Sequence, residues 1–315
     1  MKLSIFDMHC DTPDAIYHRK ASIASNDLHL SLEGMKNYDH YIQVMAVFIP
    51  PRLNDTEGFE FWKNATAYLD AQIEENKDII IKATDGLTCI NACNNGLYAA
   101  IYSIEDARIV GDDLSRIDKF YSAGVRFITL TWSGNSVIGG SFNTDNGITP
   151  FGRQALKKMF EVGIIPDISH SSEQLADDVC EAAIQLNKPF VATHSNSFYI
   201  WGHRRNLRDR HFEVIKQLGG LVGISFCRPH IADETKCTIT LSALIPHIEH
   251  YLSLGGENTV ALGSDFDGTD LPDDLSGCAD LYSLANELAR LNYTQQMIDK
   301  IFFLNGRNFI EKNII

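Results

Sequence analysis

Eight strand-like apolar runs recur along the chain with amphipathic, helix-period stretches between them, and this alternation limits the possible folds more than any other feature. The runs are Leu3–Met8, Ile42–Ile49, Ala99–Ile104, Val125–Thr131, Ile164–Ile168, Phe190–Thr193, Leu221–Ser225 and Val260–Gly263. Helical periodicity falls around 59–76, 112–123, 150–162, 172–187, 209–217 and 240–254, and two further stretches at 279–292 and 294–311 close the chain. Strand and helix in strict alternation imply a parallel sheet, and eight such units predict an α/β fold closed into a (β/α)8 TIM-like barrel rather than an open doubly wound sheet. One more apolar segment, at 79–83, leaves room for a short additional strand.

A chain of 315 residues accommodates one large barrel or two smaller domains. No Gly/Ser linker, Pro-rich tract or fixed-period repeat divides it, which predicts a single barrel domain over residues 1–315. A formal charge of −14 repels phosphate backbones and anionic lipid, so nucleic acid and membrane surfaces are excluded as partners and a small-molecule substrate is expected. Polar residues interrupt the first residues before a signal-peptide apolar region forms, and no apolar run reaches membrane-spanning length, so a soluble cytoplasmic protein is expected. The seven cysteines are odd in number and lack paired CxxC clusters, consistent with reduced thiols.

In a barrel of this kind the carboxy-terminal strand ends open onto one face, and metal-ligand residue types stand at those ends. His9 and Asp11 lie two apart in Phe6-Asp7-Met8-His9-Cys10-Asp11, so both side chains point the same way while Cys10 points into the wall. Glu105 ends the third run, with Asp106 beside it as an alternative helix-capping acid. His170 and His194 occupy equivalent places after two consecutive runs, and neutral imidazole is a preferred zinc donor. Asp265 follows the last run, ahead of Asp267 and Gly268. Three histidines and three carboxylates at strand ends point to a metal-dependent hydrolase. His18, His29, His40, His211, His230, His247 and His250 have no matching partner pattern and read as surface or packing residues.

Five segments in order, MHCDT, SIEDA, TPFGRQALKKMFEVGIIPDISHSS, THSNSFYIWGHRRNL and LGSDFDG, together with the closing Leu304-Asn-Gly-Arg-Asn-Phe, resemble the membrane (renal) dipeptidase family of zinc peptidases, within the amidohydrolase superfamily. The resemblance runs over nearly the whole chain. It implies two zinc ions per chain, one held by His9, Asp11 and Glu105 and the other by Glu105, His170 and His194, with Glu105 bridging. Asp265 would lie beside the first ion and act as the proton-transfer residue, and Arg205 would clamp the terminal carboxylate of a dipeptide substrate. The resemblance also implies a homodimer.

One position departs from the pattern. Where vertebrate members carry a histidine thought to assist substrate or oxyanion, this chain has Trp132, which has an N–H donor but takes no proton. Either metal polarisation suffices without that histidine, or His203 or a group from the Ser133–Asn146 loop supplies the donor; Trp132 is expected to form a wall of the substrate pocket, with core packing as the other reading. The Gly139-Gly140 pair reads as a flexible bend in that loop, suited to a lid. A non-peptide amide, lactam or ester substrate is the alternative, because one barrel hosts many chemistries.

Overall fold

The computed structural model describes residues 2–315. Its strands are β1 (Ile5–Cys10), β2 (Tyr41–Phe48), β3 (Ile80–Lys82), β4 (Tyr98–Glu105), β5 (Val125–Thr129), β6 (Ile165–Asp167), β7 (Val222–Ile224) and β8 (Val260–Leu262), and all their pairings are parallel. The sheet runs β6-β5-β4-β2-β1-β8-β7. Its open ends are joined through Val191 and Ala192, which bridge to Asp167 on one side and Val222 on the other. The seven ordered strands and this segment make eight staves in chain order, and the ring closes as the alternation predicts.

Two details refine the expected strand list. Segment 79–83 supplies the additional strand: β3 pairs with the first residues of β4 and lies off the ring path. The Phe190–Thr193 run keeps its stave position but forms only single bridges. Its ladder stops early because Thr193 N–H donates to the Asp167 carboxylate and His194 N–H to the Ser169 hydroxyl, side chains where a strand would use carbonyls.

Inside the ring, every stave contributes to one apolar cluster: Phe6 and Met8, Ile42 and Val44, Ala99 and Ile101, Phe127, Ile165, Val191, Leu221 and Ala261. Phe303, Phe309, Ile310 and Ile314 join the same cluster, so the carboxy-terminal helix Asn305–Asn313 plugs the end of the barrel away from the strand carboxy termini. Gly306 is required there because a Cβ would overlap the Phe6 ring. The larger cluster lies between staves and helices and provides most of the buried apolar surface.

In β1 a register shift between Asp7 and Cys10 inserts one extra residue relative to β2. Phe6 and Met8 face the apolar plug, yet the inward parity then changes so that His9 and Asp11 also reach the interior. Simple alternation from Phe6 would have turned His9 outward.

Helix ends follow local rules. Asn54 and Glu57 form a capping box on helix Asp55–Glu75. Thr149 caps helix Pro150–Val162, which ends on Gly163 in the left-handed region, and Ser172 caps Glu173–Leu186. Helices Thr12–Arg19 and Gly86–Asn94 had no counterpart among the predicted stretches, both being short and weakly amphipathic. Among the described residues, no helix is long and apolar enough to cross a membrane.

The upper interior is narrow at Gly223 and Gly263, where an added Cβ would collide with the Thr193 carbonyl oxygen and the facing glycine. Gly223→Ala is expected to destabilise the fold by more than about 2 kcal/mol, since overpacking against backbone cannot relax through a rotamer change; urea unfolding measures it.

Candidate metal centre and substrate cavity

Asp11 stands at the amino-terminal cap of helix Thr12–Arg19 but makes no capping bond, leaving its carboxylate free to turn into the barrel. His9 Nε2 lies 3.6 Å from Asp11 Oδ1, 3.5 Å from Glu105 Oε2 and 3.9 Å from Asp265 Oδ1. The other Glu105 oxygen, Oε1, lies 2.9 Å from His170 Nε2 and 3.5 Å from His194 Nε2, and these two nitrogens are 3.0 Å apart. The fold thus gathers His9, Asp11, Glu105, His170, His194 and Asp265 in one place. His9, Asp11 and Glu105 form one group able to hold a metal ion, and Glu105, His170 and His194 form another.

Unmet bonding capacity tests whether metal suits these residues. His9 Nε2 and Asp11 Oδ1 are buried without hydrogen-bond partners, a costly state that a coordinated cation relieves. Burial works against charge on His9, yet Glu105 and Asp11 raise it well above the ordinary histidine range. Burial, with repulsion from Glu105, likewise raises the Asp11 carboxyl, whereas Glu105, despite its burial, is held low by His9 and by bonds from His170 and His194. The residues fit a divalent cation.

A hydrogen-bonded layer beneath the cluster orients it, and this layer was not foreseen from the sequence. Thr193 donates its hydroxyl proton to Asp167 Oδ2 at 2.5 Å, so its oxygen accepts from His194 Nδ1 at 2.8 Å. That fixes the tautomer: His194 Nε2 presents a lone pair to the cluster. Asp167 also accepts from Thr129 Oγ1, Ser169 N and Thr193 N. Under β1, Asp7 accepts from the Ser264 backbone and hydroxyl. Asp7 and Asp167 each precede a ligand-type residue by a few positions, the only trace of this layer in the sequence.

His170 and Asp265 have φ of 67° and 62°, the left-handed region that non-glycine residues seldom occupy. Such backbone persists where surrounding structure enforces it, here by aiming two side chains from strand-end turns. Asp106 adopts the capping role open to it: its side chain accepts from Arg108 N and pairs with the Arg108 guanidinium.

A cavity of about 400 Å³ opens over the cluster, lined by Asp11, Glu105, His170 and Asp265 and by Arg205 and Trp132. Arg205 is 4% exposed; it donates to the Ser195 hydroxyl at 3.2 Å and the His194 carbonyl at 3.3 Å, while its Nε has no partner. Arg204 is exposed and pairs with Asp145. Trp132 packs edge-on to Phe48 at 5.0 Å, with its ring 6.2 Å from that of His170.

Three expectations change. His203 is not among the residues lining the cavity; its Nδ1 accepts from Arg205 N at 3.2 Å, and His230, read from sequence as a packing residue, lines the cavity instead. His230 arrives on the one-turn helix Arg228–Ile231 after β7, where no strand-end ligand pattern marked it. The Gly139-Gly140 bend is pinned rather than lid-like: Phe142 N donates to the His170 carbonyl and Ser172 N to the Gly140 carbonyl, and a Cβ on Gly140 would overlap the backbone of Asn146.

Comparison with known proteins agrees with this architecture. An uncharacterized protein of Klebsiella pneumoniae, from the pqqA 5′ region, is 35% identical over 219 residues, covering 66% of this chain and 80% of its own. An uncharacterized dipeptidase of Schizosaccharomyces pombe is 27% identical over 96% of this chain and 78% of its own. A Rhodobacter sphaeroides metallopeptidase, solved with a phosphinate mimic of L-Ala-D-Ala, shares the fold with a TM-score of 0.91 at 22% identity, over 99% of this chain and all of the other. The model of the membrane dipeptidase family, peptidase family M19, matches residues 1–311, and the chain belongs to that family.

Proposed function

We propose that the protein hydrolyses the peptide bond of a small dipeptide with a pair of divalent ions, zinc by preference. The observation carrying this reading is the division of Glu105, one oxygen facing His9 and Asp11's side and the other facing His170 and His194. One carboxylate serving two donor sets supports a bridged pair over a lone ion. His9, Asp11 and Glu105 would hold one ion and Glu105, His170 and His194 the other, donor types that zinc accepts along with other first-row divalent ions. When bound, the ions would polarise the scissile carbonyl and lower the pKa of the attacking water.

The protein's own groups do the rest. Asp265 takes the proton of the attacking water and returns it to the leaving amine. Burial above all pushes its carboxyl up to about 6, with Glu105 adding to it and His9 and Arg205 opposing. Arg205, with its buried Nε unsatisfied, binds the substrate's terminal carboxylate and so limits the substrate to a single residue beyond the scissile bond. Trp132 with Phe48 and Phe142 supplies the apolar wall for a side chain. The dipeptide mimic bound by the Rhodobacter sphaeroides structure supports the same substrate class, including a D-residue at the carboxy terminus.

The family match over 1–311 and the plug formed by the last helix support one domain across residues 1–315. Seven free cysteines, six of them buried, favour a reducing, cytoplasmic setting.

Purified protein given a panel of L-Xaa-L-Xaa and L-Xaa-D-Xaa dipeptides is expected to cleave some of them, to carry about two ions per chain, and to lose activity on chelation. Two ions with no dipeptide cleaved would redirect the search to non-peptide amides. Asp265→Asn should retain its metal while kcat falls by roughly a hundredfold or more, and a variant as active as wild type refutes the proton-transfer role. Arg205→Ala should reduce kcat/KM by roughly tenfold to a hundredfold, the worth of charge-assisted bonds to a carboxylate, and an unchanged value removes the clamp.

A further inference from the structure

The cavity is electrically two-ended. Arg205 is the sole lysine or arginine lining it, while Asp11, Asp14, Glu105, Asp265 and Asp267 are its acids. Most of these acids are committed. Asp11, Glu105 and Asp265 belong to the metal cluster, and Asp267 accepts from the Thr12 hydroxyl at 2.5 Å and from His29 N at 2.6 Å.

Asp14 is not. It lies in the first turn of helix Thr12–Arg19, one turn beyond Asp11, and its carboxylate is reached by no donor except its own backbone N–H. It is half-buried on the cavity wall, where Arg205 is the one lysine or arginine and is bonded elsewhere. A carboxylate held in this way lacks a cation. The acids of the cluster would be balanced by the ions proposed above, and Asp14 shares their cavity without belonging to either group of metal-holding residues.

Its position fits a substrate end. Arg205 lies on the loop after the Val191–Ala192 stave and Asp14 on the helix after β1, three places apart around an eight-stave ring, and both line the cavity over the metal cluster. A dipeptide whose carboxylate rests on Arg205 and whose scissile carbonyl faces the cluster directs its amino-terminal residue away from Arg205, into a cavity whose one acid outside the cluster without a side-chain or backbone donor from another residue is Asp14. The buried, unpartnered Nε of Arg205 independently marks this cavity as built for a charged ligand.

We propose that Asp14 is a specificity-determining residue that pairs with the cationic nitrogen of the substrate's amino-terminal residue, resting on the dipeptidase reading above. That nitrogen is either the α-ammonium or the side-chain ammonium of a basic residue, and the two sources separate experimentally. Asp14 touches neither the scissile bond nor the proton transfer, so its effect falls on KM rather than kcat.

The test compares wild type with Asp14→Asn on Lys-Ala, on Met-Ala as its uncharged counterpart of similar length, and on a des-amino analogue of Met-Ala, with bound metal and melting temperature measured for both proteins. A drop of tenfold or more in kcat/KM for Lys-Ala alone, carried by KM and restored by Asp14→Glu, assigns the side-chain ammonium. A drop of that size for both dipeptides but not for the des-amino analogue assigns the α-ammonium. Equal losses on all three substrates, or values within twofold of wild type throughout, overturn the proposal and leave Asp14 a helix-terminus carboxylate. A wild type that cleaves none of them, with metal bound, overturns the dipeptidase reading itself and the proposal with it.

Discussion

Glu105 is buried to 2% exposure among Asp11, Asp265 and three imidazoles, and the upper barrel is organised around the cost of that burial. Buried carboxylates in such proximity demand positive charge, and neither a lysine nor an arginine is bonded to Glu105. Bound metal would meet the demand, and the residues around Glu105 are of the types that hold it. The apolar plug below, from Phe6 and Met8 to Phe309 and Ile310, keeps the base of the barrel dry and rigid, so the charged layer above is held by fixed staves rather than by mobile loops.

Between plug and cluster lies a thin polar layer whose work is orientation. Thr193 ties Asp167 to His194, and Ser264, just after β8, bonds to the Asp7 carboxylate and the His9 carbonyl on β1. The same Thr193 and His194 backbone groups that leave the parallel ladder are the ones that bond to Asp167 and Ser169. The irregular stave is therefore the structural cost of aiming His194. The β1 bulge plays the corresponding part for His9 and Asp11.

Around the rim, loops are tied to one another and not left free. His247 is fully buried and accepts from Ser197 N while its other nitrogen contacts the Ile231 carbonyl, joining the Arg205 loop to the His230 loop. Asn196 and Asn206 both donate to the His230 carbonyl across the same seam. The loop that was expected to act as a lid is pinned to His170 and Ser172. The cavity is consequently preformed, which suits a small substrate recognised at both ends.

The alternation of apolar runs and helical stretches determined the barrel, because a parallel sheet needs a crossover after every strand and eight crossovers fill the chain. Strand-end position also made His9, Asp11, Glu105, His170, His194 and Asp265 readable, since chemistry-bearing residues after buried runs have one face of the barrel on which to meet. The rest depended on distances that no spacing encodes. Asp14 and His230 look like a helix-start acid and a stray histidine until the ring closes and turns them toward one cavity. Thr193 and Asp167 are 26 residues apart and become partners only across neighbouring staves. The bulge in β1 is invisible in the sequence, because it is defined against the register of β2. Local periodicity decides which elements form and which end of each carries polar groups; closure of the ring decides which of those groups share a dielectric, a proton or a cation.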